Sequence, residues 1–274
     1  MLVVQAVLVG MLVLLAGTIP RNLLFAANLR FYPELPWAVP LAAGLLWAFW
    51  RYLRGDGPPQ STAADRRAGL RAHRLAGPVW AWALIAGTLG LIALVLGLRI
   101  LNRLVALPVQ QVPDLSHVPA LTVWSLLLVS APVAGVIEEA AFRGYMQRPI
   151  ERRHGPVIAI LITGTMFALA HLDFTPILWP YYVAVAAIYG TVTYLTDSIL
   201  PAIVLHTGGN VYSNLDLLLH GKAEWQAPAG PAELIWATGV DREFRVVAIA
   251  LVAVAALMLG AYLMLARVAR RTPA

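Results

Sequence analysis

The stretch PALTVWSLLLVSAPVAGVIEEAAFRGYMQ, residues 119–147, joins a long apolar run to three charged side chains near its end. A membrane-spanning helix needs about 20 mostly apolar residues, and this stretch is long enough to provide them. Ionisable side chains are costly inside a bilayer, and where they occur they usually belong to a functional site. The stretch therefore predicts a transmembrane helix that carries part of such a site.

The composition of the whole chain is that of an integral membrane protein. Of the 274 residues, 60% are hydrophobic and 12% are charged, whereas soluble domains are about half apolar and about a quarter charged. Nineteen of the twenty basic residues are arginines at the ends of apolar segments, a placement typical of membrane topology rather than of nucleic-acid binding. The chain has no cysteine, which excludes disulfides and leaves His, Glu, Asp or Asn to bind any metal.

We predict an all-α fold with about eight transmembrane helices, formed as one membrane-embedded domain over residues 1–274. The apolar segments lie at 2–19, 35–53, 79–104, 119–147, 156–172, 177–195, 199–219 and 245–266. The first segment has neither a basic region nor a small-residue cleavage site, so we interpret it as a retained span rather than a signal peptide. The polar motifs lie within 119–220, which we expect to be the catalytic core, with flanking spans in 1–105 and 245–266.

The arginine clusters predict the orientation in the membrane. They lie between the second and third spans, in RPIERRHG (148–155), and in the C-terminal tail RVARRTPA (267–274). Basic residues accumulate on the cytoplasmic side of membrane proteins, so we place these three segments and both termini in the cytoplasm. The Arg-rich, Lys-poor and Ala/Leu-rich usage indicates a bacterial cytoplasmic membrane.

The spacing of the charged residues in the opening stretch predicts different roles for the two glutamates. Glu139 and Arg143 are four residues apart, so they share a helical face and are expected to pair. The adjacent Glu138 points about 100° away, because a turn takes about 3.6 residues. We expect the pairing to neutralise Glu139, and we expect Glu138 to be free for proton transfer.

Two later spans also carry polar groups at membrane depth. His171 follows Phe167 by one helical turn, and His206 and Asn210 share a face with Gly208–Gly209 between them. Taken singly, each residue is more typical of a hydrogen-bonded core or of interhelical contacts. Together with the glutamates, in neighbouring spans, they favour a functional site.

Two kinds of chemistry fit this set of side chains. A carboxylate with an imidazole can activate water, while a second imidazole and a carboxamide donate hydrogen bonds to an oxyanion. Alternatively, Glu138, His171 and His206 could bind zinc with one position open for water. The residues alone leave both open. The chain contains no H-E-x-x-H, G-x-S-x-G or G-x-G-D motif of other intramembrane proteases.

Three motifs in order resemble the CAAX-protease and bacteriocin-processing family of intramembrane proteases, which includes the eukaryotic prenyl-protein endopeptidase. They are E-E-x-x-x-R (Glu138, Glu139, Arg143), F-x-x-x-H (Phe167, His171) and H-x-x-x-N (His206, Asn210). The resemblance covers about residues 120–220. It implies an all-helical membrane enzyme in which Glu139 and Arg143 hold the motif helix in place.

The resemblance also implies roles for the other polar residues and a class of substrate. Glu138 and His171 would activate the water, and His206 and Asn210 would form the oxyanion site. The substrate would be a peptide or a membrane-anchored protein. Members of the family are described both as metalloproteases and as metal-independent glutamate proteases, so zinc stays open.

An alternative reading is a membrane protein without protease activity, such as a transporter, an immunity protein or a scaffold, that uses the polar cluster to bind ions or protons.

The shared site also faces a geometric requirement. On straight helices, His171 would lie about 15 residues or roughly 22 Å beyond its turn, and His206 only about 7 residues or roughly 10 Å. Helix tilt or a broken start near Asp197–Pro201 must bring the two histidines together.

Overall fold

The computed structural model describes residues 2–107, 114–171, 176–221 and 233–271, and the regular secondary structure within these ranges is helical. The α-helices are α1 (Leu2–Phe31), α2 (Ala38–Leu53), α3 (Ala63–Leu70), α4 (Gly77–Leu104), α5 (Ala120–Glu139), α6 (Arg148–His154), α7 (Pro156–Ala170), α8 (Trp179–Thr196), α9 (Leu200–His220), α10 (Ile235–Thr238) and α11 (Arg242–Arg271). A π-helix, Ala140–Gln147, connects α5 to α6. The all-α prediction is therefore confirmed.

Within the described residues, four helical segments are long and apolar enough to cross a membrane: α1, α4, the continuous stretch Ala120–His154, and α11. Helices α2 and α7 are apolar but shorter. Each of the eight predicted segments falls on a helix, and the end of the segment 156–172 lies outside the described residues. The count of about eight transmembrane helices is not confirmed by length and composition. The apolar helices and their exposed large side chains are those of an integral membrane protein.

The first helix is longer than the sequence predicted. The predicted segment ended at residue 19, before Pro20 and Arg21, but α1 continues to Phe31. A helix break inside a bilayer would leave backbone groups without hydrogen bonds, so a single proline is tolerated within a spanning helix. Arg21 is consequently part of an apolar helix and not of a loop.

The π-helix was not predicted. It begins directly after the two glutamates, and it packs closely against α3: a Cβ on Gly144 would lie 2.7 Å from the carbonyl oxygen of Gly69. Single π-helical turns are rare and are frequently found at functional sites. Here the π-helix changes the direction in which the side chains of 140–147 leave the helix just beyond the glutamate pair.

An arginine joins three segments at one end of the bundle, which we call the basic end. The guanidinium of Arg71 donates two hydrogen bonds to Glu151, at 3.0 and 3.1 Å, and one to Asp197, at 2.6 Å. The backbone N–H of Ile199 donates to the carbonyl of Arg71 at 3.0 Å. Two of the arginine-rich segments therefore lie at the same end, and the start of α9 is fixed next to them.

Candidate active site

Glu139 and Arg143 form the buried ion pair that their spacing predicts. Arg143 Nη1 lies 3.1 Å from Glu139 Oε1, and both side chains are fully buried. Arg143 Nη2 also donates to the carbonyl of Ala186 at 3.3 Å. Glu139 Oε2 and Arg143 Nε have no hydrogen-bond partner among the described residues. The pair therefore neutralises two charges and ties the motif helix to α8.

His206 contacts both glutamates. Its Nδ1 lies 2.7 Å from Glu139 Oε1, and its Nε2 lies 3.7 Å from Glu138 Oε2. Because an ionised carboxylate only accepts hydrogen bonds, Nδ1 carries a proton and donates it to Glu139. The ring is thereby oriented with Nε2 toward Glu138. The sequence analysis grouped His206 with Asn210, or with Glu138 around a zinc ion, and did not predict its hydrogen bond to Glu139.

A close approach of α5 and α9 makes these contacts possible. A Cβ on Gly135 would lie 2.6 Å from Thr207 Oγ1 and 3.2 Å from the backbone nitrogen of Thr207. Glycine has no Cβ, so it lets the two backbones come together one turn from the glutamates. Thr207 directly follows His206, and the fit at Gly135 therefore sets the distance from the imidazole to the carboxylates.

Aromatic rings enclose the cluster on the side of α7 and α8. Tyr189 stacks on His206, with ring centroids 5.0 Å apart and an interplanar angle of 15°. The Arg143 guanidinium lies 4.9 Å from the ring centroid of Phe167 and 5.3 Å from that of Tyr189. Aromatic faces attract cations, and the attraction increases when water is excluded. The rings therefore favour the arginine and hold the imidazole of His206 in place.

His171 lies at the end of α7, where its side chain is exposed. Its Nδ1 lies 2.8 Å from the carbonyl oxygen of Phe167, and since a carbonyl only accepts, Nδ1 is the protonated nitrogen. Nε2 is left as a hydrogen-bond acceptor. The Phe167 ring lies 4.6 Å from the His171 ring and 6.0 Å from the His206 ring.

The two histidines thus share one aromatic neighbour, although the structure does not join His171 to Glu138. Among the described residues, no hydrogen bond or ion pair links this imidazole to either glutamate. The required meeting of the two histidines is met in part, because both rings lie near the Phe167 ring, and a break at Asp197, whose backbone is left-handed with a φ of 49°, precedes α9.

Asn210 follows His206 by one turn on α9 and is half-buried. Its neighbour Gly209 faces Tyr189, since a Cβ there would lie 3.3 Å from the tyrosine oxygen. The Asn210 amide makes no hydrogen bond to another described residue. Its donors are therefore available to a bound molecule on the same helix face as His206.

Zinc binding by Glu138, His171 and His206, which was considered from sequence, stays a prediction. Among residues 2–107, 114–171, 176–221 and 233–271, no three His, Asp or Glu side chains are placed to hold a metal ion. His206 directs Nδ1 to Glu139, and His171 has no bond to Glu138. The residues as arranged do not form the set Glu138, His171 and His206 around one point.

Arg21 is a charged neighbour of the site that sequence reasoning missed. It lines a 250 Å³ cavity between α1, α2 and α5 whose other walls are mainly apolar, with Phe49 and Ile137 among them. Its charge is attracted by Glu138, and its described hydrogen bonds go only to the adjacent Asn22. The signal was an arginine directly after an apolar run, which is usually read as the end of a span.

Taken together, the fold and the site define an all-helical integral membrane protein with a buried Glu–Arg–His cluster. Residues 120–212 match the family described as type II CAAX prenyl endopeptidase, Rce1-like. The match includes all three motifs and confirms the resemblance to the CAAX-protease family. No curated protein and no solved structure matches the chain. The family match suggests a CAAX-type intramembrane protease acting on peptides.

Proposed function

We propose that the protein is an intramembrane endopeptidase in which Glu138 takes a proton from the water that attacks the peptide bond. The observation that carries this proposal is the placement of His206, which is held by Glu139 and faces Glu138 at a depth where charges are costly. A purely structural role in holding the helices together would need only the Glu139–Arg143 pair. The additional partly exposed carboxylate and oriented imidazole are what hydrolysis requires.

The two glutamates have different surroundings that suit different tasks. Glu139 is fully buried and bound to Arg143 and His206, so it positions both. The Glu138 side chain keeps 19% of its surface exposed and makes no direct hydrogen bond to a described residue. A carboxylate with an accessible oxygen can accept a proton from water, and such general-base catalysis typically contributes about 100- to 10,000-fold.

His206 and Asn210 form the oxyanion site in this proposal. When His206 is protonated on both nitrogens, Nδ1–H donates to Glu139 and Nε2–H is available to the developing negative charge. The Asn210 amide, one turn further along α9, supplies a second donor. Donors that are fixed before the reaction stabilise the transition state without reorganisation.

Glu138 carries one proton from the attacking water to the leaving amine. Glu138 takes the proton of the water while the hydroxide oxygen bonds to the carbonyl carbon, and the carbonyl oxygen becomes the oxyanion. Glu138 then returns the proton to the amide nitrogen as the C–N bond breaks. His171 orients the water through its unprotonated Nε2, which requires α7 and the glutamates to approach when substrate binds.

Every step of this proposed path is carried by side chains of the chain itself. We place the basic end on the cytoplasmic side of a bacterial membrane, as the arginine distribution predicts. The substrate is a peptide or a membrane-anchored protein that reaches the site from the bilayer.

The test is hydrolysis of membrane-delivered peptides by the purified protein, with wild type compared with Glu138→Ala and His206→Ala. Glu34→Gln, an exposed residue between α1 and α2, is the matched control. We expect cleavage by wild type and the control, little or none by the two site variants, and no effect of a zinc chelator. Loss of activity with chelator would contradict the metal-free path. Full activity of Glu138→Ala would contradict the proposed function. If neither the wild type nor any variant cleaves a peptide, the ion-binding alternative is favoured.

A further inference from the structure

A second cavity lies outside the candidate active site, at the basic end. This groove, of 440 Å³, is bounded by the first turns of α1, by α3, and by the π-helix and α6. Its α1 wall is mainly apolar and is formed by Leu2, Ala6 and Val9 together with the polar Gln5. On the opposite wall, Arg148 and Arg152 lie one turn apart on α6. The groove is therefore apolar along one side and basic along the other.

Neither arginine of the groove forms a close ion pair with a described carboxylate, although Asp197 and Glu151 lie near enough to attract the charge of Arg148. The described hydrogen bond of Arg148 goes to the carbonyl of Ala68, and Arg152 has none. By contrast, Arg71 at the same end is neutralised by Glu151 and Asp197. Arg148 and Arg152 thus retain positive charge directed at whatever occupies the groove.

Arg66, which also lines the groove, is already engaged. Its guanidinium donates to the carbonyls of Gly57 and Pro59 and lies over the ring of Tyr52 at 4.0 Å. Asp65 is the single acidic residue on the described lining. The balance of charge is therefore positive and is concentrated on α6.

Packing holds the back of the groove in a fixed shape. The Tyr145 hydroxyl donates to the carbonyl of Arg66 at 2.8 Å. A Cβ on Gly69 would lie 2.5 Å from the Tyr145 ring, and one on Gly144 would lie 2.7 Å from the Gly69 carbonyl. The helices behind the groove are in close contact, so the cavity exists without its ligand.

We propose that this groove binds one anionic phospholipid, with the phosphate between Arg148 and Arg152 and an acyl chain along α1. Leu2 and Val9 are 40% and 37% exposed on the apolar wall, which a free phosphate would leave in water. The groove lies where spanning helices end, at the level of lipid headgroups, and basic pockets between such helices suit anionic headgroups. The site is independent of the proposed protease activity.

The experiment measures lipid binding to the full-length protein in neutral detergent, by native mass spectrometry. The probes are phosphatidylglycerol, phosphatidylcholine with the same acyl chains, and glycerol 3-phosphate. Wild type is expected to bind phosphatidylglycerol at least about fivefold more tightly than phosphatidylcholine, since one basic residue near a membrane surface contributes about 1 kcal/mol. Glycerol 3-phosphate, which lacks acyl chains, is expected not to compete.

Three variants separate the groove from general attraction to a basic surface. Arg148→Gln and Arg152→Gln are each expected to weaken phosphatidylglycerol binding by about fivefold. Arg153→Gln removes the same charge from the adjacent position outside the groove and should bind as wild type does. Equal weakening by Arg153→Gln, equal binding of the two lipids, or competition by glycerol 3-phosphate would each overturn the proposal. Because Arg152 is exposed and makes no described hydrogen bond, its variant gives a result even if Arg148→Gln does not fold.

Discussion

Replacing each of the adjacent glutamates by glutamine should separate stability from chemistry. Glu139→Gln removes the charge that faces Arg143 at 3.1 Å, where both side chains are fully buried. Breaking a buried ion pair by removing one partner costs about 3–5 kcal/mol, because the other charge is left without compensation. Glutamine can still accept the His206 hydrogen bond, and Arg143 keeps the Ala186 carbonyl. We therefore expect the free energy of unfolding to fall by about 3 kcal/mol, near the lower end of that range.

Glu138→Gln should leave stability nearly unchanged. Glu138 is partly exposed, and its described ion-pair contact is the 3.7 Å approach to His206. At 3.7 Å the two groups make no hydrogen bond, and glutamine keeps the size and one oxygen of the side chain, so the contact contributes no more than a typical hydrogen bond, about 1 kcal/mol. We expect the free energy of unfolding to fall by less than about 1 kcal/mol. Peptide hydrolysis should be lost.

The free energy of unfolding can be measured for both variants by titrating the protein in mixed micelles with a denaturing detergent and following its helix content. Arg51→Gln, at an exposed ion pair with Asp56, controls for the loss of one surface charge. Equal losses for the two glutamate variants, or a larger loss for Glu138→Gln, would refute the assignment of Glu139 to structure and Glu138 to chemistry.

Three further predictions concern the surroundings of the site. Gly135→Ala would place a Cβ 2.6 Å from Thr207 Oγ1, so α9 must shift by a few tenths of an ångström and activity should fall by about tenfold. Arg21→Gln removes the positive charge attracted by the partly exposed glutamate and should lower kcat/KM by at least about fivefold. A backbone N–H of α11 and the guanidinium of Arg103 lower the pKa of Asp241, so Asp241→Asn should reduce the melting temperature at neutral pH, and the difference should vanish as the pH falls below that lowered pKa.

Each of these predictions has a matched control. Gly97→Ala on α4 adds a Cβ with no heavy atom within 4 Å and should leave activity intact. Arg30→Gln removes a charge from the exposed end of α1 and should leave kcat/KM unchanged. For Asp241, melting curves at several pH values distinguish a depressed pKa from a general loss of packing, because a packing defect would persist at acidic pH. A difference that persisted would contradict the explanation.

The local parts of this protein were predictable from sequence, because they depend on spacing along one helix. The apolar runs predicted where helices form, and the spacing of Glu139 and Arg143 predicted their pairing. The first span was cut too short, since Pro20 and Arg21 resemble the end of a membrane segment. In a bilayer the need to satisfy backbone hydrogen bonds carries the helix past both residues, and the position of Arg21 was missed for that reason.

The contacts between helices were not predictable from spacing. His206 meets Glu139 across 67 positions of sequence, and this depends on the fit of Gly135 against Thr207. The π-helix depends likewise on the packing of Gly144 against α3. Neither leaves a periodic pattern in the sequence. The catalytic roles of Glu138, His171, His206 and Asn210 all remain predictions, because they require a bound peptide.

The central claim is that Glu138 activates the hydrolytic water, and the most direct measurement is kcat of Glu138→Gln against wild type on a membrane-anchored peptide. We expect kcat to fall by at least about 100-fold, with the free energy of unfolding changed by less than about 1 kcal/mol. A glutamine variant that is correctly folded and retains wild-type kcat would contradict the account.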